Sequence, residues 1–129
     1  MKIFFYSMIP ILLFCLIVFF DMIFFRVNKT FLNKTIHSVQ NRTLTLKYPG
    51  ALLCYLALTL ILYNAMKLNY TQTFGLGVGI YAVYEGTNYA IFDHWPLKMV
   101  VLDTLWGGIL FVLVKWTNTF LTGKLKTLF

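Results

Sequence analysis

Four apolar runs, each about long enough to cross a lipid bilayer as a helix, constrain this chain more than any other feature. A bilayer core about 30 Å thick needs about 20 apolar residues at 1.5 Å each. The runs lie at about residues 3–25, 49–66, 73–92 and 96–116. The first run is too long for the core of a secretory signal. None alternates with the period of two that a membrane β-barrel needs, so we predict an all-α integral membrane protein.

The balance of apolar and charged residues excludes an ordinary soluble domain. Of the 129 residues, 60% are apolar and only four are acidic, which leaves too little polar surface to cover a soluble core. Charge gathers in residues 26–48, called here the basic segment. Because it is too polar for the bilayer, we predict that it is a loop. Its cations are Arg26, Lys29, Lys34, Arg42 and Lys47.

The short connections after the second and third runs predict how the helices are arranged. Residues 67–72 and 93–95 allow only tight turns, so the helices that they join must be antiparallel neighbours. We therefore predict that residues 1–129 form a single membrane domain, an antiparallel four-transmembrane-helix bundle. The Lys and Arg residues divide five to six between its two faces, so the positive-inside rule gives no orientation.

Three of the four acidic residues lie inside the predicted helices. In an antiparallel bundle, Asp21, Glu85 and Asp103 fall at a similar depth, near the membrane face that carries the basic segment. A charged group at the bilayer centre costs about 2.5–3.5 kcal/mol, so these side chains should face partners inside the bundle. Repulsion and desolvation predict that at least one carboxyl is protonated or that the cluster draws in a cation. The predicted binding residues are Asp21, Glu85, Asn88, Asp103, Tyr81, Tyr84 and Trp106.

Small residues form a separate stripe on the third predicted helix. At about 100° per residue, this stripe is distinct from the polar stripe that carries Glu85 and Asn88. Small residues at such spacing allow helix backbones to approach closely in lipid. We therefore predict close packing against a neighbouring helix at Gly75, Gly79, Ala82 and Gly86, with Gly107 as a packing residue of the fourth helix.

Motifs in the second half of the chain resemble a known family. Residues 79–90 read Gly-Ile-Tyr-Ala-Val-Tyr-Glu-Gly-Thr-Asn-Tyr-Ala, a Trp-Pro turn follows at 95–96, and Asp-Thr-Leu-Trp-Gly occupies 103–107. This pattern is similar to the predicted-membrane-protein family catalogued as domain of unknown function 2177, and the acidic end of the first helix, Phe20-Asp21-Met22, also resembles it. Glu85 stands where that family usually has Asp. The resemblance implies a fold and a shared site, and no established activity.

Three functions remain open from the sequence. The first is that the cluster binds a proton, a cation or a polar lipid headgroup. The second is a structural role in a larger assembly, such as the internal membrane and capsid layer of a large virus, with the cluster only holding helices together. The third, weaker hypothesis is a membrane subunit of a lipid-modifying enzyme. Because no nucleophile, phosphate loop or metal-ligand spacing supports catalysis, we predict no catalytic residue, metal or cofactor.

The basic segment predicts the kind of partner. Its five cations suit anionic lipid headgroups or an adjacent protein layer. Phe31 is its only aromatic residue before Tyr48, so we do not expect nucleic-acid binding. The bilayer itself is the main predicted partner, and a homo-oligomer or hetero-oligomer stays open. The predicted location is an integral membrane, either cellular or inside a virion.

Overall fold

A computed structural model describes residues 2–128, which form five α-helices and no β-strand. In chain order these are α1 (Lys2–Val27), α2 (Lys29–Gln40), α3 (Tyr48–Asn64), α4 (Tyr70–Ile91) and α5 (Leu97–Leu128). The predicted all-α class is confirmed. By length and composition, α1 and α5 are long and apolar enough to cross a membrane.

Proline and asparagine residues set three of the helix starts. Pro49 occupies the first turn of α3 and Pro96 immediately precedes α5, where a missing backbone N–H leaves no bond unmade. A capping box starts α4: the Gln72 backbone N–H donates to Asn69 Oδ1 over 2.8 Å, and the Asn69 N–H donates to Gln72 Oε1 over 3.1 Å. Pro10 lies inside α1 without ending it.

The prediction that residues 26–48 form a loop is wrong for residues 29–40, which form α2. Leu32 and Ile36 recur at helical spacing and Thr35 between them is buried, so one face of this polar segment packs inward. Asn41 ends the helix in the left-handed conformation (φ 58°), with its N–H bonded to the His37 carbonyl.

The helices pack in the order α3, α1, α5, α4, so α1 and α5 hold the central positions. The broadest interface joins α4 to α5, while α1 packs against both α3 and α5. Among the described residues, α3 and α4 share no comparably broad interface. The apolar core lies along α1, α3 and α5 and consists of Leu13, Ile17, Leu58, Leu62, Leu110, Phe111 and Val114.

Glycine permits the close approach of α4 to α5. The predicted packing residue Gly107 takes part on α5, whereas the α4 residue is Gly77, which was not predicted. A Cβ placed on Gly77 would collide with the backbone of Gly107 and lie 3.0 Å from Gly108 Cα. A Cβ on Gly108 would in turn lie 2.7 Å from Phe74 and Val78 side-chain atoms.

The glycines of the predicted stripe lie on the opposite side of α4. At Gly75, Gly79 and Gly86 an added Cβ would meet nothing within 4 Å, and Ala82 is half-buried. The prediction that these glycines contact a neighbouring helix is therefore wrong within this chain. The physical reason is that α4 packs broadly against one helix only, so just one of its faces can be buried.

Candidate functional site: a carboxyl-lined cavity

Asp21 joins three helices through its two carboxyl oxygens. It is 5% exposed on α1 and accepts a hydrogen bond from the Tyr55 hydroxyl of α3 over 2.7 Å. The Trp106 indole N–H of α5 donates to the other oxygen over 3.0 Å. Phe24 stacks on the Trp106 ring at a centroid distance of 4.7 Å and holds that indole in place. Both oxygens of Asp21 therefore have a donor, as a buried carboxyl requires.

Glu85 connects α4 to α5 and to the turn between them. It is 1% exposed, and the Trp95 indole N–H donates to its Oε2 over 2.7 Å. The Asp103 side chain on α5 lies near it in the wall of the same cavity. Trp95 itself is buried just before Pro96, so the Trp-Pro turn supplies a donor to the cluster.

The proximity of Glu85 and Asp103 has a chemical consequence. An ionised carboxylate can only accept hydrogen bonds, so two carboxyl groups can bond to each other only if one of them carries a proton. If both are ionised, a cation between them would offset the repulsion of two like charges.

A cavity of about 320 Å³ brings the three carboxyl groups to one place. Its size falls within the range of about 300–1,000 Å³ that is typical of small-molecule sites. Side chains from all five helices and the α4–α5 turn line it, including Leu32 and Ile36 of α2, and none of the lining residues is Lys, Arg or His. The cavity lies between α3 and α4, the two helices that share no broad interface.

Most of the residues predicted to bind a ligand lie around this cavity. The structure places five of the seven in its wall: Asp21, Glu85, Asp103, Tyr81 and Tyr84. Trp106 contacts the cluster from outside by donating to Asp21. Asn88 is buried on α4 but does not line the cavity. Within residues 2–128, no group of three or more His, Cys, Asp or Glu residues has an arrangement that could hold a metal ion.

Two members of the site were not predicted. Tyr55 lies in a run that we interpreted only as an apolar span, and Trp95 was noted only as part of the Trp-Pro turn. The Trp-Pro pair next to the acid-bearing helix was the available signal for Trp95, because a short turn keeps it near Glu85. Nothing in the sequence around Tyr55 indicates which way its hydroxyl faces.

The comparisons with known proteins point to one family. The family model described as predicted membrane protein (DUF2177) matches residues 3–120, a range that includes every residue of the site. No curated protein and no solved structure matches the chain.

Proposed function

Because this chain belongs to the DUF2177 family of predicted membrane proteins, we propose that it is a multi-pass membrane protein whose Glu85–Asp103 pair binds a proton or a cation beside an intramembrane cavity. The observation that carries the proposal is that these two carboxyl groups are neighbours in a cavity wall without a basic side chain. An ionisable group inside the membrane is, by default, a candidate for an ion or proton site.

The proposal includes four membrane spans, formed by α1, α3, α4 and α5. At 1.5 Å per residue, the 17 residues of α3 and the 22 of α4 extend about 26 and 33 Å, close to a hydrocarbon core of about 30 Å. The 12 residues of α2 extend only about 18 Å. We therefore assign α2 to the membrane surface, where its apolar face can cover the cavity.

Apolar side chains that point away from the core support these spans. Leu53 on α3 is 70% exposed and Val83 on α4 is 72% exposed, and Phe19 on α1 and Ile109 on α5 also face outward. Such surfaces on every long helix would be unfavourable in water, whereas acyl chains would solvate them.

Within the basic segment, α2 lies against the cavity, because Leu32 and Ile36 line it. The Lys98 amine is 4.7 Å from the centroid of the Phe31 ring, a cation–π contact that ties α2 to the first turn of α5. In a bilayer this arrangement would put α2 between the cavity and the headgroup region. Contact of its cations with anionic headgroups or with an adjacent protein layer stays a prediction.

A test uses the infrared signature of a protonated carboxylic acid. We expect the purified protein in lipid to show the carbonyl stretching band of such a group, and we expect Asp103→Asn to abolish it. The amide can still donate to Glu85, so the helices should stay packed. Infrared difference spectra of the wild type and the variant measure the band directly.

Asp93→Asn is the matched control because Asp93 is exposed in the α4–α5 turn, and it should leave the band unchanged. Glu85→Gln should also remove the band while the protein still accumulates in the membrane. A band that survives in both the Glu85 and Asp103 variants would contradict the proposal. So would a wild-type protein that lacks the band and takes up neither sodium nor magnesium in calorimetric titrations.

A further inference from the structure

We propose that a second cavity, between the start of α1 and the end of α5, binds the headgroup of an anionic phospholipid through Lys2 and Lys126. This cavity measures about 390 Å³ and shares no lining residue with the carboxyl-lined cavity. From Lys2 to Asp21 is about 29 Å along α1, close to the thickness of the hydrocarbon core. The two cavities therefore belong to opposite faces of the membrane.

The charged side chains that line this cavity are both positive. Lys2 and Lys126 line it from two different helices, and the Lys126 amine lies 5.5 Å from the centroid of the Phe5 ring. The chain has four acidic side chains: Asp21, Glu85 and Asp103 line the other cavity, and Asp93 lies two residues before the Trp95 that binds Glu85. Within residues 2–128, no acidic side chain lines this cavity to neutralise the two lysines, and an anion from outside can do so.

The apolar side chains that line the cavity beside the two lysines favour binding of an amphiphile over binding of a free anion. The remaining lining residues are aromatic or aliphatic: Phe4, Phe5, Tyr6, Met8 and Leu125. Inorganic phosphate would bind the two amines and leave this apolar surface uncovered. A phospholipid would place its phosphate between the amines, which are compact point charges suited to phosphate, and its upper acyl chains against the apolar walls. Exposed aromatic residues at a helix end also match the headgroup level of a bilayer.

Native mass spectrometry of the protein in a non-ionic detergent tests this site. The probes are dioleoylphosphatidylglycerol and dioleoylphosphatidylcholine, which have the same acyl chains and differ in headgroup charge. We expect the anionic lipid to bind about 30-fold more tightly to the wild type, as two lysines close to a headgroup should provide. The double substitution K2Q/K126Q should lower that affinity about 30-fold, to the level of phosphatidylcholine.

Two further variants serve as controls. K2R/K126R keeps both charges and should retain the preference to within about threefold. K67Q/K124Q removes two exposed charges that do not line the cavity and should leave this preference in place. Helicity by circular dichroism must match in all variants. Equal loss in K2Q/K126Q and K67Q/K124Q would show that binding follows net charge, and would overturn the proposal.

Competition with inorganic phosphate distinguishes a lipid site from a site for a free anion. Sodium phosphate should displace phosphatidylglycerol no better than sodium chloride of equal ionic strength, because the apolar walls add affinity only for the lipid. Phosphate binding that depends on Lys2 and Lys126, with no preference between the two lipids, would overturn a lipid site. None of these outcomes depends on the Glu85–Asp103 pair.

Discussion

Gly77→Leu should push α4 away from α5 and lower the free energy of unfolding by about 3 kcal/mol, the upper end of the usual cost of overpacking. The added side chain would meet the backbone of Gly107 and Gly108, and backbone cannot turn aside as a flexible side chain can. The broadest helix interface of the protein would have to open. Loss of helicity during titration with sodium dodecyl sulfate measures the change.

Gly79→Leu is the matched control because it makes the same substitution two residues further along α4. A Cβ at Gly79 meets nothing within 4 Å, so leucine there should be neutral or should stabilise the helix by up to about 1 kcal/mol. Equal destabilisation by the two substitutions would contradict the assigned contact, as would a Gly77→Leu protein as stable as the wild type.

Asp21→Ala should have the second largest effect, a loss of about 3 kcal/mol of unfolding free energy. It leaves the Tyr55 hydroxyl and the Trp106 indole N–H without an acceptor, and each unsatisfied donor costs about 1–3 kcal/mol where it is buried. Asp21→Asn keeps one oxygen acceptor and should cost less. The same detergent titration, followed by helicity and by tryptophan fluorescence, measures both variants.

A double-mutant cycle with Tyr55→Phe tests whether the hydrogen bond causes this loss. In the Tyr55→Phe background no hydroxyl is stranded, so Asp21→Ala should cost about 1 kcal/mol less than it does in the wild type. Additive effects would mean that Asp21 stabilises the bundle by some route other than Tyr55.

Long apolar runs predicted α1, α3 and α4 to within a few residues, but hydropathy was a poor guide to where other helices begin and end. The fourth run was predicted to end at residue 116, whereas α5 continues to Leu128. Lys115 and Asn118 are polar but buried on α5, and Gly123 does not break it. The helix continues because the more polar residues after 116 still tolerate the helical conformation, whereas our prediction used hydropathy alone. For the same reason the polar helix α2 was not predicted.

The depth of the carboxyl groups was predictable, because a fixed rise per residue and antiparallel turns place Asp21, Glu85 and Asp103 at one level. The rotation of each helix about its own axis was harder to predict from the sequence. On α4, the polar stripe and the glycine stripe were both reasonable candidates for a buried face. Only the position of α4 at the end of the helix row decides between them, and that position depends on contacts that no local pattern contains.

The row of helices divides the protein into two pairs. Tyr55 bonds to Asp21 within the α1–α3 pair, and the glycine contact joins α4 to α5 in the other pair. Between the pairs, the broad interface within residues 2–128 is that of α1 with α5, and the Trp106–Asp21 hydrogen bond crosses it. A small rotation of one pair against the other would change the width of the cavity. The Trp106–Asp21 hydrogen bond, the stack of Phe24 on Trp106 and the apolar core shared by the two pairs all resist that rotation.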